Sequence, residues 1–599
     1  MLGRRRKGSG WKMSDLPLAS SKGPTGTTAR ILSALRRANV FDLLSVAALV
    51  GWLAFILSVE PYWPFTGPVI GVFFGFAALL FGLLRRWRLA FVVACGTFLA
   101  IFASSVFKYS IVAMNLHVYD ISFYLRSLTQ IGFFYETFPR QAWSTTAVLA
   151  ALVALLVGLY RWEKPWRSGG FKQAGVIAAS LVAMSGAITP LLMNNVDFFS
   201  DRRSVFSAFL SSFRDLPELM QLNRTFQSSA RANAGPIPLD AISCSPDETP
   251  PDIVYFLNES AMPPGVYPNL VYPKELDPFF ASFDGKAHAL RVETFGGGTW
   301  LSDFSALTGL STNTFGSLRN FATQIMTGRL RHSLPQYLKA CGYETTIVYP
   351  AGGDFAGTNR FYQAIGFDHV IDRKVHRAPD DRQRDAFYYD QVAQAIGRAA
   401  TTSTGKRKPQ FVAASSMSTH MPWDFRFAPD AVKGGEGLRW NGDKEFDEYL
   451  WRLVLAKRDR DAFRAGLAKT YPRQPFLFVS YGDHQPALSK IPVDDPMGIA
   501  SGGTSWQLDP RAKAFQTYYS VDALNFTPKA SLPDFPVVEI PNLATIAVQA
   551  AGLPLDPVFR RRVQLMKSCE GAFGSCADRG ALMTFQHWLA DAGWVTAAN

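Results

Sequence analysis

Five apolar runs crowd the first third of this chain, at 43–59, 65–84, 89–107, 143–160 and 174–193. A bilayer core about 30 Å thick needs about 20 apolar residues per helix, so each run is read as a transmembrane span. The remaining two-thirds has no such run and reads as soluble. Whole-chain values fit that division. Charged residues are 18% of the chain, and a mean hydropathy of +0.04 is too low for a transporter and high for a soluble enzyme. Only 5 of 599 residues are Cys, which excludes a Cys-rich zinc scaffold.

The basic residues orient the runs. Arg4, Arg5, Arg6, Lys7, Lys12, Lys22, Arg30, Arg36 and Arg37 precede the first span. Arg85, Arg86 and Arg88 link spans two and three, and Arg161, Lys164, Arg167 and Lys172 link four and five. Basic links stay on the cytoplasmic side. The N-terminus is therefore expected in the cytoplasm of a multi-pass bacterial inner-membrane protein, and five spans put everything after about residue 194 outside. The net charge of +13 is explained by this pattern and does not form a stripe suited to nucleic acid. The expected domains are a basic tail 1–42, a transmembrane domain 43–193, interfacial helices and linker 194–250, and a catalytic domain 251–599. Within the loop 108–142, apolar residues at helical spacing suit one or two interfacial helices or a plain connection. Residues 196–225 are amphipathic and are expected to lie along the membrane surface.

From residue 251 the pattern alternates between strands and helices. Strand-like runs occur at Ile253–Leu257, Leu290–Thr294, Thr345–Tyr349, Phe411–Ala414 and Phe476–Ser480. Such alternation predicts an α/β domain with a largely parallel sheet sandwiched by helices. Its ligand site should lie at the carboxyl ends of the strands. The residues there carry chemistry: Glu259, the glycines 296–298 before Thr299 and Trp300, Arg360, His420, and Asp483 with His484.

Glu259, Asp483 and His484 offer oxygen and nitrogen ligands. That mixture suits zinc or manganese better than calcium, and magnesium is also compatible. Thr299 is the candidate fourth ligand. A metal would lower the pKa of its hydroxyl and make it a nucleophile, and a position at a helix N-terminus would favour phosphate. A glycine turn before an ordinary N-cap threonine explains the same residues without chemistry. His420 is the candidate for protonating a leaving oxygen, Arg360 for clamping phosphate, and Trp300 for lining a pocket. His288, His332, His369 and His376 have no comparable context.

These motifs, in this order, resemble the alkaline-phosphatase/sulfatase superfamily: FLNES at Glu259, GGGTWLSDFSALTGL at Thr299, NRFYQAIGFDHVID, THMPW at His420 and FVSYGDHQP at Asp483 and His484. Within it, they are similar to the membrane-bound branch of lipoteichoic acid synthases, phosphoglycerol transferases and phosphoethanolamine transferases. The resemblance covers about residues 251–490. It implies a metal-dependent enzyme in which Thr299 takes a phospho-alcohol headgroup from a phospholipid donor, forming a phospho-threonine, and passes it to an envelope glycan, polymer or lipid. It also implies Glu259, Thr299, Asp483 and His484 as metal ligands and Arg360 and His420 as phosphate contacts. The C/S-x-P-x-R string of true sulfatases is absent, which argues against sulfate-ester hydrolysis. The rival readings are a membrane-anchored phosphodiesterase or phosphatase with the same site, and a non-catalytic envelope scaffold. Cys569 and Cys576 are close enough for a local disulfide in an oxidising compartment, while Cys244 and Cys341 can pair or stay reduced.

Overall fold

The computed structural model describes residues 40–596 except 113, 126–127, 168, 194–202, 218–243, 247–248, 267–269, 354–356, 380–382, 400–404, 432–438 and 490–511. Most of the basic tail and of the linker lies outside the described residues.

The N-terminal part is a helical bundle. The first apolar run forms α1 (Val40–Val59), followed by α2 (Trp63–Leu84), α3 (Trp87–Val112), α4 (Val118–Leu125), α5 (Leu128–Thr137), α6 (Pro139–Trp162) and α7 (Gly170–Met193). Among the described residues, four helices are long and apolar enough to cross a membrane: Trp63–Leu84, Trp87–Ser110, Pro139–Trp162 and Gly170–Met193. The described apolar part of α1 is the shorter Val46–Val59. Helices α2 and α7 meet where a side chain at Gly71 or Gly75 would press on Ala187 and Met184. Small residues allow that close approach, which drives helix association in lipid. The loop 108–142 contains two short helices, α4 and α5.

The stretch read as lying along a membrane surface is placed differently. Its described helix, α8 (Val205–Ser211), is buried along its whole length. Phe206, Phe209 and Leu210 pack with Trp52, Ile56, Phe73 and Phe98 of the bundle. Glu60 makes this burial tolerable. Its carboxylate accepts from the Ser207 backbone N–H at 3.0 Å, from the Ser207 hydroxyl at 2.7 Å and from the Phe206 N–H at 2.5 Å. These are the donors a buried helix N-terminus leaves unpaired. The amphipathic pattern was legible, but the same pattern fits a helix laid against a protein surface.

The C-terminal part is built on an eight-stranded sheet: β1 (Asp252–Asn258), β2 (His288–Arg291), β3 (Glu344–Val348), β4 (His369–Ile371), β5 (Gln410–Ser415), β6 (Phe476–Gly482), β7 (Gln516–Leu524) and β8 (Val538–Glu539). The order is β4-β3-β5-β1-β6-β7-β2-β8. Only β7 runs antiparallel to its neighbours, β6 and β2. All five strand-like runs are strands, within a few residues at their ends. Strands β4, β7 and β8 were missed. Two of these lie in 491–599, so that tail is part of the same sheet.

Side-chain alternation splits the core. Ile253, Tyr255 and Leu257 face one layer with Val479 and Tyr519. Val254 and Phe256 face the other with Phe478, and Tyr518 leaves β7 on that second face within a further cluster. Disulfides join Cys244 to Cys341 and Cys569 to Cys576, leaving Cys95 of the bundle as the free cysteine. The two halves of the chain touch. Tyr119 and His117 stack against Phe321, with ring centroids 4.8 and 5.3 Å apart.

Candidate active site at the carboxyl edge of the sheet

Strands β1 and β6 are adjacent and parallel, with Asn258 opposite Gly482. Glu259 therefore leaves the sheet beside Asp483 and His484. All three are buried, and their ligand atoms lie within 4.8 Å of one another. Nε2 of His484 is 3.4 Å from Oε1 of Glu259 and 3.2 Å from Oδ2 of Asp483. A side chain at Gly482 would collide with the Ala261 carbonyl, so the approach of these two loops requires glycine there.

Thr299 comes from a third direction. It opens α9 (Thr299–Thr308), whose N-cap is Gly298 at φ 85°. That left-handed conformation is one glycine adopts without penalty. The turn aims the Thr299 hydroxyl at Glu259, donating to Oε2 at 3.0 Å. Two bonds lock α9 and its turn onto the Asp483 loop. The Ser302 hydroxyl donates to the Asp483 carbonyl at 2.5 Å, and the Gly296 N–H donates to the Gln485 carbonyl at 3.0 Å.

The donor set fits a divalent cation. Nδ1 of His484 is 3.0 Å from the Gln485 carbonyl, so it carries the proton and leaves the lone pair on Nε2. That Nε2 and Oδ2 of Asp483 are buried with no hydrogen-bond partner. Buried polar atoms are rarely left so, and a cation would satisfy both. Electrostatics agree. Burial drives the Asp483 carboxyl well above its usual range, and the neighbouring Glu259 carboxylate adds to this. Burial also pushes Glu259 up, but His484, His420 and hydrogen bonds from Ser260 and Thr299 bring it below its usual value.

His420 lies close enough to Glu259 to act on its ionisation. Its Nδ1 is 2.7 Å from the Met421 carbonyl, which leaves Nε2 for other partners. Its loop is gripped by residues that sequence reading missed. Asp385 accepts from the N–H groups of Met417 and Ser418 at 3.2 and 3.0 Å. Burial, the main cause, raises its carboxyl to about 6. Arg452, paired with Glu448 at 2.9 Å, donates to the carbonyls of His420 and Pro422 at 2.8 and 2.9 Å. The signal for Arg452 was a Glu-to-Arg pair four residues apart inside an apolar helical stretch. Asp303, under Thr299 on α9, was also missed. It accepts from the hydroxyls of Tyr362 at 2.8 Å and Tyr481 at 3.2 Å, and burial lifts it to about 6.

Trp300 is half-buried, and its indole N–H donates to the Asn320 carbonyl at 3.1 Å. Arg360 is exposed on the helix Thr358–Ala364, beyond the carboxyl end of β3. The structure thus brings Glu259, Thr299, Asp483 and His484 into one cluster, sets His420 near it, and leaves Arg360 at the surface of the same edge.

The Sulfatase family model matches residues 251–545. An uncharacterized protein of Haemophilus influenzae is 25% identical over 257 residues, 40% of this chain and 45% of that protein. The match thus spans less than half the length of that relative. Similar solved structures include the Streptococcus pyogenes phosphoglycerol transferase GacH in complex with sn-glycerol-1-phosphate. It is 15% identical, with 63% of this chain and 92% of that chain covered and a TM-score of 0.44. The lipoteichoic acid synthase LtaP from Listeria monocytogenes is 16% identical, with coverage of 55% and 78% and a TM-score of 0.37. The integral membrane lipooligosaccharide phosphoethanolamine transferase A from Neisseria meningitidis is 10% identical, with coverage of 69% and 77% and a TM-score of 0.38.

Proposed function

Residues 251–545 of this chain are a sulfatase-family domain, and from that premise we propose an enzyme that moves a phospho-alcohol headgroup, phosphoglycerol or phosphoethanolamine, from a phospholipid to an envelope acceptor. The observation that carries this reading is a single hydroxyl aimed at a buried Glu–Asp–His cluster with two unpartnered ligand atoms.

Glu259, Asp483 and His484 would hold one divalent cation, zinc or manganese, with magnesium also compatible. When bound, it would lower the pKa of the Thr299 hydroxyl and offset phosphate charge. The Thr299 hydroxyl proton points to Oε2 of Glu259. Thr299 Oγ1 then bonds to the headgroup phosphorus while the bond to the diacylglycerol oxygen breaks. His420 is placed to give that oxygen a proton. The free N–H groups of α9 and the Arg360 guanidinium supply positive potential for the phosphate. An acceptor hydroxyl finally takes the headgroup from Thr299.

Membrane attachment suits a lipid donor. We read α1 as a fifth span, with the N-terminus cytoplasmic and the catalytic domain outside. The two disulfides support that orientation, because such bonds persist in oxidising compartments.

The test is single-turnover reaction of the purified protein, in bilayers, with headgroup-labelled phosphatidylglycerol or phosphatidylethanolamine. The expected result is diacylglycerol release with a matching mass adduct on Thr299. Headgroup release by the Thr299→Ala variant at the native rate would overturn the reading. Release as free headgroup phosphate alone, with every acceptor supplied, would make it a hydrolase.

A further inference from the structure

A cavity of about 670 Å³ lies beside the site and takes no part in the donor steps above. Its polar lining is Tyr272, Asp277, His288, Lys513 and Gln516. Gln485, next in sequence to His484, ties the cavity to the chemistry. Its side-chain amide donates to the carbonyls of Lys513 and Gln516, both at 2.7 Å. Its own carbonyl accepts from Gly296 in the turn before Thr299. Thr517, another wall residue, donates to the Gly482 carbonyl at 2.8 Å. Cavity wall, metal-ligand loop and nucleophile turn therefore form one hydrogen-bonded unit.

The two faces of the sheet separate two routes to that unit. The bundle touches the catalytic domain through Tyr119 and Phe321, in the layer faced by Tyr255, Val479 and Tyr519. A lipid in the bilayer comes from that side. Phe280 of the cavity wall belongs to the cluster around Tyr518, on the opposite face. Successive side chains of a strand point to opposite faces, so the cavity is turned away from the layer that docks the bundle.

We propose that this cavity seats the acceptor of the transfer, and that the acceptor is a hydroxyl-rich, water-soluble glycan or polyol rather than a membrane lipid. The inference rests on the proposed transfer reaction and names its second substrate. A phenol, a carboxylate, an imidazole, an amide and an ammonium together offer the mixed donors and acceptors that hydroxyl groups pair with. Several are already held in place. The Tyr272 hydroxyl donates to Asp277 at 3.0 Å, and Nε2 of His288 is 3.0 Å from Asp284. The volume is that of a small-ligand site, in a range of about 300–1,000 Å³. In the step it serves, the acceptor oxygen bonds to phosphorus as the bond from phosphorus to Thr299 Oγ1 breaks. The proton of the acceptor hydroxyl ends on Thr299 Oγ1, restoring the nucleophile.

The experiment uses cells that carry the full-length protein, or a variant, as their only copy. Separate cultures receive radiolabelled glycerol or ethanolamine. Label is measured in delipidated water-soluble envelope glycan, and the purified enzyme is weighed intact for a headgroup adduct on Thr299. Two variants are compared, Lys513→Glu at an exposed wall position and Ala289→Trp, which fills the cavity. The expected result for both is at least a tenfold loss of glycan label with a rise in adduct, because the donor half-reaction continues and discharge stalls. A variant that merely misfolds loses label and adduct together, and if both variants do so the proposal falls. Native label in both variants, or label recovered in a lipid fraction of cells with the native protein, also overturns it. Absence of any adduct and any label with the native protein refutes the transfer reaction itself.

Discussion

The hydroxyl of Thr299 donates to Oε2 of Glu259 at 3.0 Å, although 40 residues separate them in the chain. Thr299 opens a helix and Glu259 ends the central strand. Removing that hydroxyl should cost diacylglycerol release at least about a thousandfold, since a missing nucleophile is not replaced by its neighbours. Thr299→Ser should keep measurable release and still accumulate the adduct. Single-turnover kinetics on both variants check this, and native-rate release by Thr299→Ala contradicts it.

Two buried carboxylates and an imidazole crowd together at this position, and a cation would relieve them. Stripping the protein with a chelator should therefore lower its thermal unfolding temperature as well as its activity. At a cation concentration 100 times the Kd, the recovered stability is about 2.7 kcal/mol. Metal analysis should find one ion per chain, lost in Asp483→Asn. An unfolding temperature that ignores chelation would count against a cation at this cluster.

Asp303 gives a pH signature. Burial lifts its carboxyl from 3.8 to about 6 in the folded protein. The folded state therefore holds its proton more tightly than the unfolded state. Stability from this group is complete below about pH 4 and is lost as pH rises through 6, a change of about 3 kcal/mol. Asp303→Asn cannot ionise and should gain stability relative to the native protein between pH 4 and 7. Thermal unfolding of both proteins across that range tests the sign, and parallel curves would refute it.

The Cys244–Cys341 disulfide closes a loop across 97 residues and ties the segment before β1 to the end of the helix Leu334–Ala340. Loops of that length give large denatured-state effects, so Cys244→Ser should cost about 2–5 kcal/mol. Cys569–Cys576 spans only 7 residues and its loss should cost less. Comparative unfolding of the two Ser variants decides the ranking.

Glu60 shows how the chain hides its chemistry. In the sequence it is one acidic residue in a short link between two apolar runs. In the structure it binds Phe206 and Ser207, about 146 residues away, and lets α8 be buried. Glu60→Ala should destabilise the bundle by about 1–3 kcal/mol, the penalty for leaving such donors unpaired. Unfolding in detergent, with Glu60→Gln as the milder partner, measures it. Local reading could not find this pair, because nothing near Glu60 signals that a helix end will arrive there. The same holds for His288. Its sequence context was ordinary, and only the pairing of β2 with β7 puts it beside Gln516 and Lys513.

Local order alone determined a great deal. Apolar runs at bilayer length, a change to alternating strands and helices, and polar residues placed just after each strand marked out Glu259, Thr299, Asp483 and His484 before any coordinates. These patterns survive in one dimension because burial imposes a fixed period on a helix or strand. Tertiary structure alone decided that β6 pairs with β1, so that Glu259 meets His484, that α8 turns into the bundle, and that residues 516–539 complete the sheet. Those outcomes come from contacts between distant segments, whose free energy depends on which surfaces meet and not on any residue's neighbours in the chain.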